Sequence, residues 1–257
     1  MNQSFYIGAL GALNQQTKLN IVSNNIANVN TVGYKSQNGV FSDLVYENVR
    51  NTKGENAARA GSGTRVDTVK TNMGAMPYNQ TGLENDYAIP GEGFFMLKDP
   101  VTGEVTYTRD GRFQLARTEE KYYLVNTDGK RVMNMDKVEV SYDVKPASYP
   151  ENEEDEEIED KEELNEGEHD PKAIGVYTFN RMDGLQDVGG NGYVASAKNG
   201  EPILLEKAKV VKGALENSGT DLATEMTRLM EAQRAYSYAL KMVQTSDEVE
   251  TTINTLR

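Results

Sequence analysis

The side chains that could carry out chemistry are few, and their surroundings do not suit catalysis. The chain of 257 residues contains one histidine, His169, and no cysteine. The lack of cysteine excludes disulfides, thiolate zinc sites and cysteine nucleophiles together. His169 lies inside an acidic run, whereas a Ser-His-Asp site needs a histidine held beside a nucleophile, and zinc needs three or four convergent ligands. We therefore expect no catalytic residue and no metal site.

The acidic run itself extends from Glu151 to Asp170 and holds 13 acidic residues and one base, Lys161. It lacks the spaced oxygen ligands and turn glycine of an EF-hand loop, so we expect an exposed acidic loop at 151–170. The rest of the chain is nearly neutral, with 27 acids and 26 bases. Because nucleic-acid binding requires a concentrated basic surface, the sequence predicts no nucleic-acid partner.

Glycine-rich stretches give no better evidence for a cofactor. Gly61-Ser62-Gly63 lacks the third glycine and the following helix of a dinucleotide site, and no Gly-Lys-Ser/Thr phosphate loop occurs. Gly189-Gly190-Asn191-Gly192 is typical of a turn. The sequence therefore predicts no cofactor, and an enzyme is the weakest of the functional hypotheses.

Two long amphipathic segments frame the chain. Residues 3–28 contain no proline and repeat apolar residues at helical spacing, and a second helix is predicted from Asp221, as N-cap, to the C-terminus. A helix with one apolar stripe gains its stability by packing that stripe against something else. We expect these stripes to pair with each other or with neighbouring chains, as an assembly interface of Phe5, Ala12, Leu19, Val22, Ile26, Leu222, Met226, Leu229, Tyr236, Leu240 and Val243.

The residues between the helices are typical of strands and turns. Asp110-Gly111 and Asp128-Gly129 each predict a β-hairpin between flanking strand candidates. No run of 18 apolar residues occurs, so no membrane span is predicted. The fold class is α+β, in which the terminal helices (1–30 with 218–257) pack as a coiled-coil-like domain. A connector (31–64) and an inserted all-β domain (65–217), which carries the acidic loop, complete the chain.

Four sequence motifs occur in a fixed order along the chain. They are SNNIANVNTVGYK (23–35), IPGEGFFML (89–97), YTRDGRFQL (107–115) and a C-terminal stretch from Gly213 to Val249 that includes LENS and QRAY. Together they resemble the signatures of the bacterial flagellar hook–basal body rod protein family, and most resemble its distal rod members. The matching residues are Asn24, Asn25, Asn28, Thr31, Gly33, Tyr34, Lys35, Gly91, Gly93, Phe94, Phe95, Tyr107, Arg109, Gly111, Gln233, Arg234 and Tyr236.

This resemblance implies a structural protein of the flagellar basal body. Such a subunit polymerises helically through its terminal helices and transmits torque from motor to hook. Its expected partners are further copies of itself, other rod and hook proteins and the flagellar type III export apparatus. Export without a cleavable signal would place it outside the cytoplasmic membrane, in the periplasm or cell wall. The alternatives are a hook or proximal rod paralogue, or, in a different class, a secreted adhesin with a β recognition domain.

Overall fold

The computed structural model describes residues 3–48, 59–118, 121–143 and 173–256. The acidic run 151–170, with His169, lies outside these residues. The fold is α+β, with a long helix at each end of the described chain and a β-rich middle. The helices are α1 (Gln3–Ala27) and α2 (Leu222–Thr255), and a 3-10 turn covers Met182–Gly184.

The strands are short, and most of them lie between residues 59 and 216. In chain order they are β1 (Gln37–Asp43), β2 (Tyr46–Asn48), β3 (Arg59–Gly61), β4 (Thr64–Thr71), β5 (Tyr78–Gln80), β6 (Tyr87–Ala88), β7 (Phe94–Lys98), β8 (Val105–Thr108), β9 (Gln114–Arg117), β10 (Lys121–Val125), β11 (Arg131–Val132), β12 (Ser141–Asp143), β13 (Val176–Thr178), β14 (Gln186–Gly189), β15 (Gly192–Val194), β16 (Ile203–Leu204), β17 (Val211–Lys212) and β18 (Ala214–Glu216).

The chain divides into two compact units. Unit 1 comprises residues 1–30, 35–72 and 219–257, and unit 2 comprises residues 31–34 and 73–218. Within the 31–64 segment, which the sequence indicates as a connector, the structure forms β1, β2 and β3. Strand β1 pairs antiparallel with β4, with a bulge between Val40 and Phe41, and β2 pairs with β3.

In unit 1, α1 packs against α2 and against β1 and β4. The end of α1 is tied to β1 by Asn25, whose side chain is fully buried. Its amide nitrogen donates to the Gln37 carbonyl (2.8 Å), and its amide oxygen accepts from the Gln37 N–H (2.9 Å). The side chain thus pairs with β1 as a neighbouring backbone would, which satisfies polar groups that would otherwise be buried without partners.

Helix α2 begins at the residue that the sequence predicts as its cap. The Asp221 carboxylate accepts a hydrogen bond from the Thr224 backbone N–H (3.2 Å) and another from the Thr224 hydroxyl. These bonds, with the hydroxyl contributing most, hold the pKa of Asp221 below its usual value. The cap satisfies one of the otherwise unbonded N–H groups of the first turn.

In unit 2, β7 is the central strand of the main sheet. It pairs with β8 on one side and with β11 and β13 on the other. Its residues point alternately to the two faces of the sheet, and each face is covered by its own apolar cluster. Because both faces are buried, the strand is a continuous apolar run and does not alternate between apolar and polar residues. One cluster comprises Ile89, Phe95, Leu97, Phe113, Leu124, Val132, Val140, Ile174 and Val176; the other comprises Phe94, Met96, Tyr107, Met133, Tyr177, Phe179 and Tyr193.

The two predicted Asp-Gly hairpins have different outcomes. The prediction at Asp128-Gly129 is confirmed, because β10 pairs with β11 and Gly129 has a φ of 80°. The prediction at Asp110-Gly111 is wrong: β8 pairs with β7 and β15, whereas β9 pairs with β10. Gly111 allows a close approach of backbones instead, since the Tyr87 N–H donates to its carbonyl (3.0 Å).

That close approach predicts that Gly111→Ala destabilises unit 2. A Cβ at this position would lie 1.7 Å from the carbonyl oxygen of Tyr87, a backbone atom that cannot rotate away. We expect Gly111→Ala to lower the free energy of unfolding by about 1–3 kcal/mol, measured by urea denaturation. Gly91→Ala is the matched control, because an added Cβ there meets no heavy atom within 4 Å. Equal midpoints for the two variants would contradict this explanation.

The lowered pKa of Asp221 predicts a pH dependence of α2. A carboxylate whose pKa is depressed in the folded state stabilises that state above its unfolded pKa, about 3.9, and loses the contribution as the pH falls through the folded value. Asp221→Asn keeps a capping oxygen but cannot titrate. The stability advantage of the wild type over this variant, followed by circular dichroism in urea, should therefore shrink below about pH 4. A difference that stays constant with pH would contradict the role of the charge.

Candidate assembly interface

The contact between α1 and α2 is lined by small side chains. Ser4 and Ser246 lie 3.2 Å apart through their hydroxyls, and a Cβ added at Gly8 would lie 3.1 Å from Cγ2 of Val243. A Cβ added at Gly11 would meet Ala239 at 3.8 Å. As α1 advances, its contacts move back along α2, so the helices run antiparallel. Small residues let the two backbones approach closely without burying large side chains between them.

The predicted interface residues accordingly divide into three groups. Ala12 and Val22 are buried, with 7% and 3% of their surface exposed. Leu222, Met226 and Leu240 are exposed, at 40%, 50% and 40%. The remainder are half-buried: Phe5, Leu19, Ile26, Leu229, Tyr236 and Val243.

Helix α2 exposes apolar residues on two opposite flanks of its buried stripe. At 3.6 residues per turn, Glu225, Ala232 and Ser246, its buried residues, share one face. One flank carries exposed apolar side chains at Leu222, Met226, Met230 and Leu240, mostly in the first half of the helix. The other carries Tyr238, Met242, Val249, Ile253 and Leu256, towards the C-terminal end. Contiguous exposed apolar surface of this kind marks interaction sites.

A second arrangement, in unit 2, brings distant parts of the sequence together around a buried ion pair. Nη1 of Arg109 lies 3.1 Å from Oε2 of Glu216, and both side chains are 1% exposed. The Arg109 guanidinium also donates to the carbonyls of Ile89 (3.4 Å) and Gly91 (2.7 Å). Its carbon lies 5.3 Å from the centre of the Phe94 ring, within cation–π range. Burial lowers the pKa of Arg109, and the carboxylate of Glu216 opposes that shift.

The N-terminal motif reaches the same ion pair. The Gly33 N–H donates to the Glu216 backbone carbonyl (3.0 Å). Gly33 has a φ of 66°, and a Cβ there would lie 2.7 Å from the Arg109 carbonyl carbon. Both the backbone conformation and the close approach require glycine. Residues from all four sequence motifs therefore meet at the Arg109–Glu216 pair.

Three segments of the chain match models of known protein families. Residues 5–35 match the model described as flagella basal body rod protein, and residues 88–160 match the flagellar hook protein FlgE/F/G D1 domain. Residues 211–256 match the flagellar basal body rod FlgEFG protein C-terminal model. The three matches follow the chain in the order of the four motifs.

The comparison with individual proteins extends over almost the whole chain. The flagellar basal-body rod protein FlgG of Bacillus subtilis is 33% identical over 97% of this chain and 97% of its own length. The chain belongs to the flagellar basal-body rod protein family. FlgG of Caulobacter vibrioides is 29% identical over 99% of each chain. The hook protein FlgE of Borreliella burgdorferi is 32% identical, but over 51% of this chain and 30% of its own length.

These matches separate the alternatives that the sequence leaves open. Similarity to FlgG, the distal rod protein, along nearly the full length favours a rod protein over a hook protein, whose match covers a minor part of the hook chain. It also disfavours a secreted adhesin. The proteins of the family are structural, not known enzymes.

The family motif residues occupy different environments. Those around the ion pair and in the sheet core of unit 2 are buried: Gly33, Tyr34, Gly93, Phe94, Phe95, Tyr107, Arg109 and Gly111. Lys35 is buried in unit 1. Asn25 is buried against β1, as described above, and Asn28 donates to the Asn24 carbonyl (2.9 Å) at the end of α1. Thr31, Gly91 and Tyr236 are half-buried, and Gln233 and Arg234 lie exposed on α2. The structure thus does not gather the motifs into one surface.

Sequence reasoning missed the roles of three polar residues of this rod-family protein, of which Glu216 and Glu225 are buried and Asn191 is half-buried. Glu216 lies in the recognised LENS string, but nothing local marks it as the partner of Arg109. Asn191, with a φ of 57°, donates through its side-chain amide to the Val32 carbonyl (2.7 Å). Glu225 is 3% exposed and pairs with Arg228 at 2.7 Å. The signal available for Glu225 is its position in the first turn of α2, where carboxylates are favoured by the helix dipole.

No cluster of His, Cys, Asp and Glu that could hold a metal ion occurs among the residues that the structure describes. A search of the same residues finds no helix that is long and apolar enough to cross a membrane.

The buried pair predicts a strong coupling between its two members. Arg109→Met leaves the Glu216 carboxylate buried without its cation and should cost about 3–5 kcal/mol in the free energy of unfolding. Arg109→Met combined with Glu216→Gln removes both charges, so its loss should be clearly smaller than that of the single variant. Urea denaturation of the variants measures this. If the double variant is no more stable than Arg109→Met, the charges are not coupled as the structure indicates.

Proposed function

We propose that the chain polymerises helically through its terminal helices and that the polymer transmits torque from motor to hook. Membership of the rod family makes the chain a structural subunit of the flagellar basal-body rod. The observation that carries the mechanism is the pair of exposed apolar flanks on α2. Two different surfaces on one helix are what a head-to-tail assembly needs, because each subunit must contact one neighbour with one surface and another neighbour with the other.

The terminal segments 1–30 and 218–257 act in this proposal as one axial domain with coiled-coil-like packing. Its support is the antiparallel contact of α1 with α2, which uses small residues and leaves large apolar side chains for neighbours. Residues 31–64 then serve as the connector, and residues 65–217 form the β-rich domain. The predicted interface residues that are exposed, Leu222, Met226 and Leu240, contact neighbouring subunits.

The proposed partners are further copies of this chain, other rod and hook proteins and the flagellar type III export apparatus. The proposed location is the basal body outside the cytoplasmic membrane, reached without a cleavable signal. Support for both comes from the family, whose members include basal-body rod proteins and a hook protein. We further propose that the chain has no enzymatic activity and acts through its surfaces alone.

The proposal predicts that Leu240→Ala reduces polymerisation without unfolding the subunit. Leu240 is 40% exposed in the isolated chain, so its loss should change the unfolding midpoint of the monomer little. Where a neighbour buries the side chain fully, its removal should weaken the contact by about 2–5 kcal/mol, and this loss recurs at every subunit. Sedimentation and negative-stain electron microscopy of the purified chain measure the filament yield.

The matched control is Lys241→Ala, one residue further along the helix. Lys241 lies between the two apolar flanks and is exposed, so its removal should leave the filament yield nearly unchanged. Equal yields for both variants and the wild type would refute the role of the flank.

A further inference from the structure

The chain passes between its two compact units at a small number of points, and all of them lie close to one residue in unit 2. The crossings fall between residues 30 and 31, 34 and 35, 72 and 73, and 218 and 219. The segments of unit 2 that adjoin them are therefore Thr31–Tyr34, the residues that follow Met73, and the residues that precede Gly219. Glu216 is hydrogen-bonded to the first two of these segments and belongs to the third.

Two hydrogen bonds and the position of Glu216 in the chain establish this. The Gly33 N–H donates to the Glu216 backbone carbonyl (3.0 Å), which holds the Thr31–Tyr34 segment. The Met76 N–H donates to Oε1 of the Glu216 carboxylate (2.9 Å), which holds the segment after Met73. Glu216 itself ends β18 and stands two residues before Ser218, where the chain leaves unit 2.

Arg109 fixes the carboxylate that makes the side-chain contact. With Oε2 held by Nη1 of Arg109, Oε1 is directed at the Met76 N–H. The guanidinium is in turn held by the carbonyls of Ile89 and Gly91, which precede the central strand β7. The crossing segments are thus connected through two buried side chains to the core of the sheet.

We propose that Glu216 is the junction at which unit 2 holds every chain segment leading to unit 1, and that the Arg109–Glu216 pair transfers load from these segments to the sheet. The second half of this statement rests on the proposed function, since the load is the torque carried by the rod. A buried ion pair is poorly suited to adding net stability but well suited to fixing one geometry. Its burial also protects the contact from exchange with water.

The test compares two double variants of the full chain, neither of which leaves a buried charge. Arg109→Met/Glu216→Gln keeps an oxygen that can accept from the Met76 N–H, whereas Arg109→Met/Glu216→Leu removes it. Hydrogen exchange of the monomer is followed by mass spectrometry. The Met76 amide should exchange about tenfold faster in Arg109→Met/Glu216→Leu than in Arg109→Met/Glu216→Gln, as expected for the loss of one hydrogen bond. Unchanged protection of β7 in both variants reports that unit 2 is folded. Equal exchange rates of the Met76 amide in the two double variants would overturn the proposed role of Glu216 as the junction.

The mechanical half of the proposal is tested by replacing the chromosomal copy with each variant and recording swimming against the viscosity of the medium. Cells with either double variant should build rods and swim in dilute medium, but stop at a viscosity at which wild-type cells still swim, because both variants lack the Arg109–Glu216 pair. If cells with both double variants respond to viscosity as wild-type cells do, or if either double variant assembles no rods, the proposed transfer of load through the pair is overturned. Failure of the wild-type chain itself to form rods would instead contradict the proposed function, and it would leave the exchange result untouched.

Discussion

The buried ion pair between Arg109 and Glu216 is the interaction on which the organisation of unit 2 depends. Taking both charges out of water costs several kcal/mol for each ion, and hydrogen bonds to their remaining donors and acceptors help to recover that cost. Here the Arg109 guanidinium donates to the carbonyls of Ile89 and Gly91, and the Glu216 carboxylate accepts from the Met76 N–H. These bonds hold three separate parts of the chain at the pair, and the Gly33 N–H adds a fourth through the backbone carbonyl of Glu216. Each of the four family motifs contributes at least one residue to this arrangement, which gives those residues a structural rather than a chemical role.

The helices use small and large side chains for different contacts. Their mutual contact places glycine, alanine and serine, with Val243, between the backbones, whereas other leucine, methionine, valine and isoleucine side chains remain exposed on the flanks of α2. A subunit that satisfied its large apolar side chains internally would have nothing left with which to bind its neighbours. Burying them on assembly stabilises the polymer by roughly 25 cal/mol for each Å² of apolar surface removed from water. Small residues between the helices and large ones outside are thus compatible with both a folded monomer and a polymer.

Much of the local structure could be predicted from the sequence. The helices follow from the Asp221 cap and from apolar residues at helical spacing in segments that contain no proline, and the turn at Asp128-Gly129 follows from the tolerance of these residues for positive φ. The same rule failed at Asp110-Gly111, because Gly111 is required by the approach of the Tyr87 backbone and not by a turn. Gly8 interrupts the predicted apolar stripe of α1, yet it lies at the contact with α2.

The buried ion pair could not be predicted in the same way. Arg109 and Glu216 are separated by 107 positions, and a single glutamate in a chain with 40 acidic residues carries no local mark of burial. Its role is set by tertiary packing, as is the pairing of Asn25 with Gln37. The exposed flanks of α2 are only partly predicted: Leu222, Met226 and Leu240 belong to the predicted interface, whereas Met230 and the second flank do not, because which face of α2 is buried depends on where α1 packs.

The central claim is that the exposed apolar flanks of α2 bind neighbouring subunits. The most direct test is an electron cryomicroscopy structure of filaments assembled from the wild-type chain. The account predicts that Met226 and Leu240 on one flank, and Val249 and Ile253 on the other, are each buried against a different neighbouring subunit. A filament in which these side chains still face solvent, with the subunits joined through other surfaces, would contradict it.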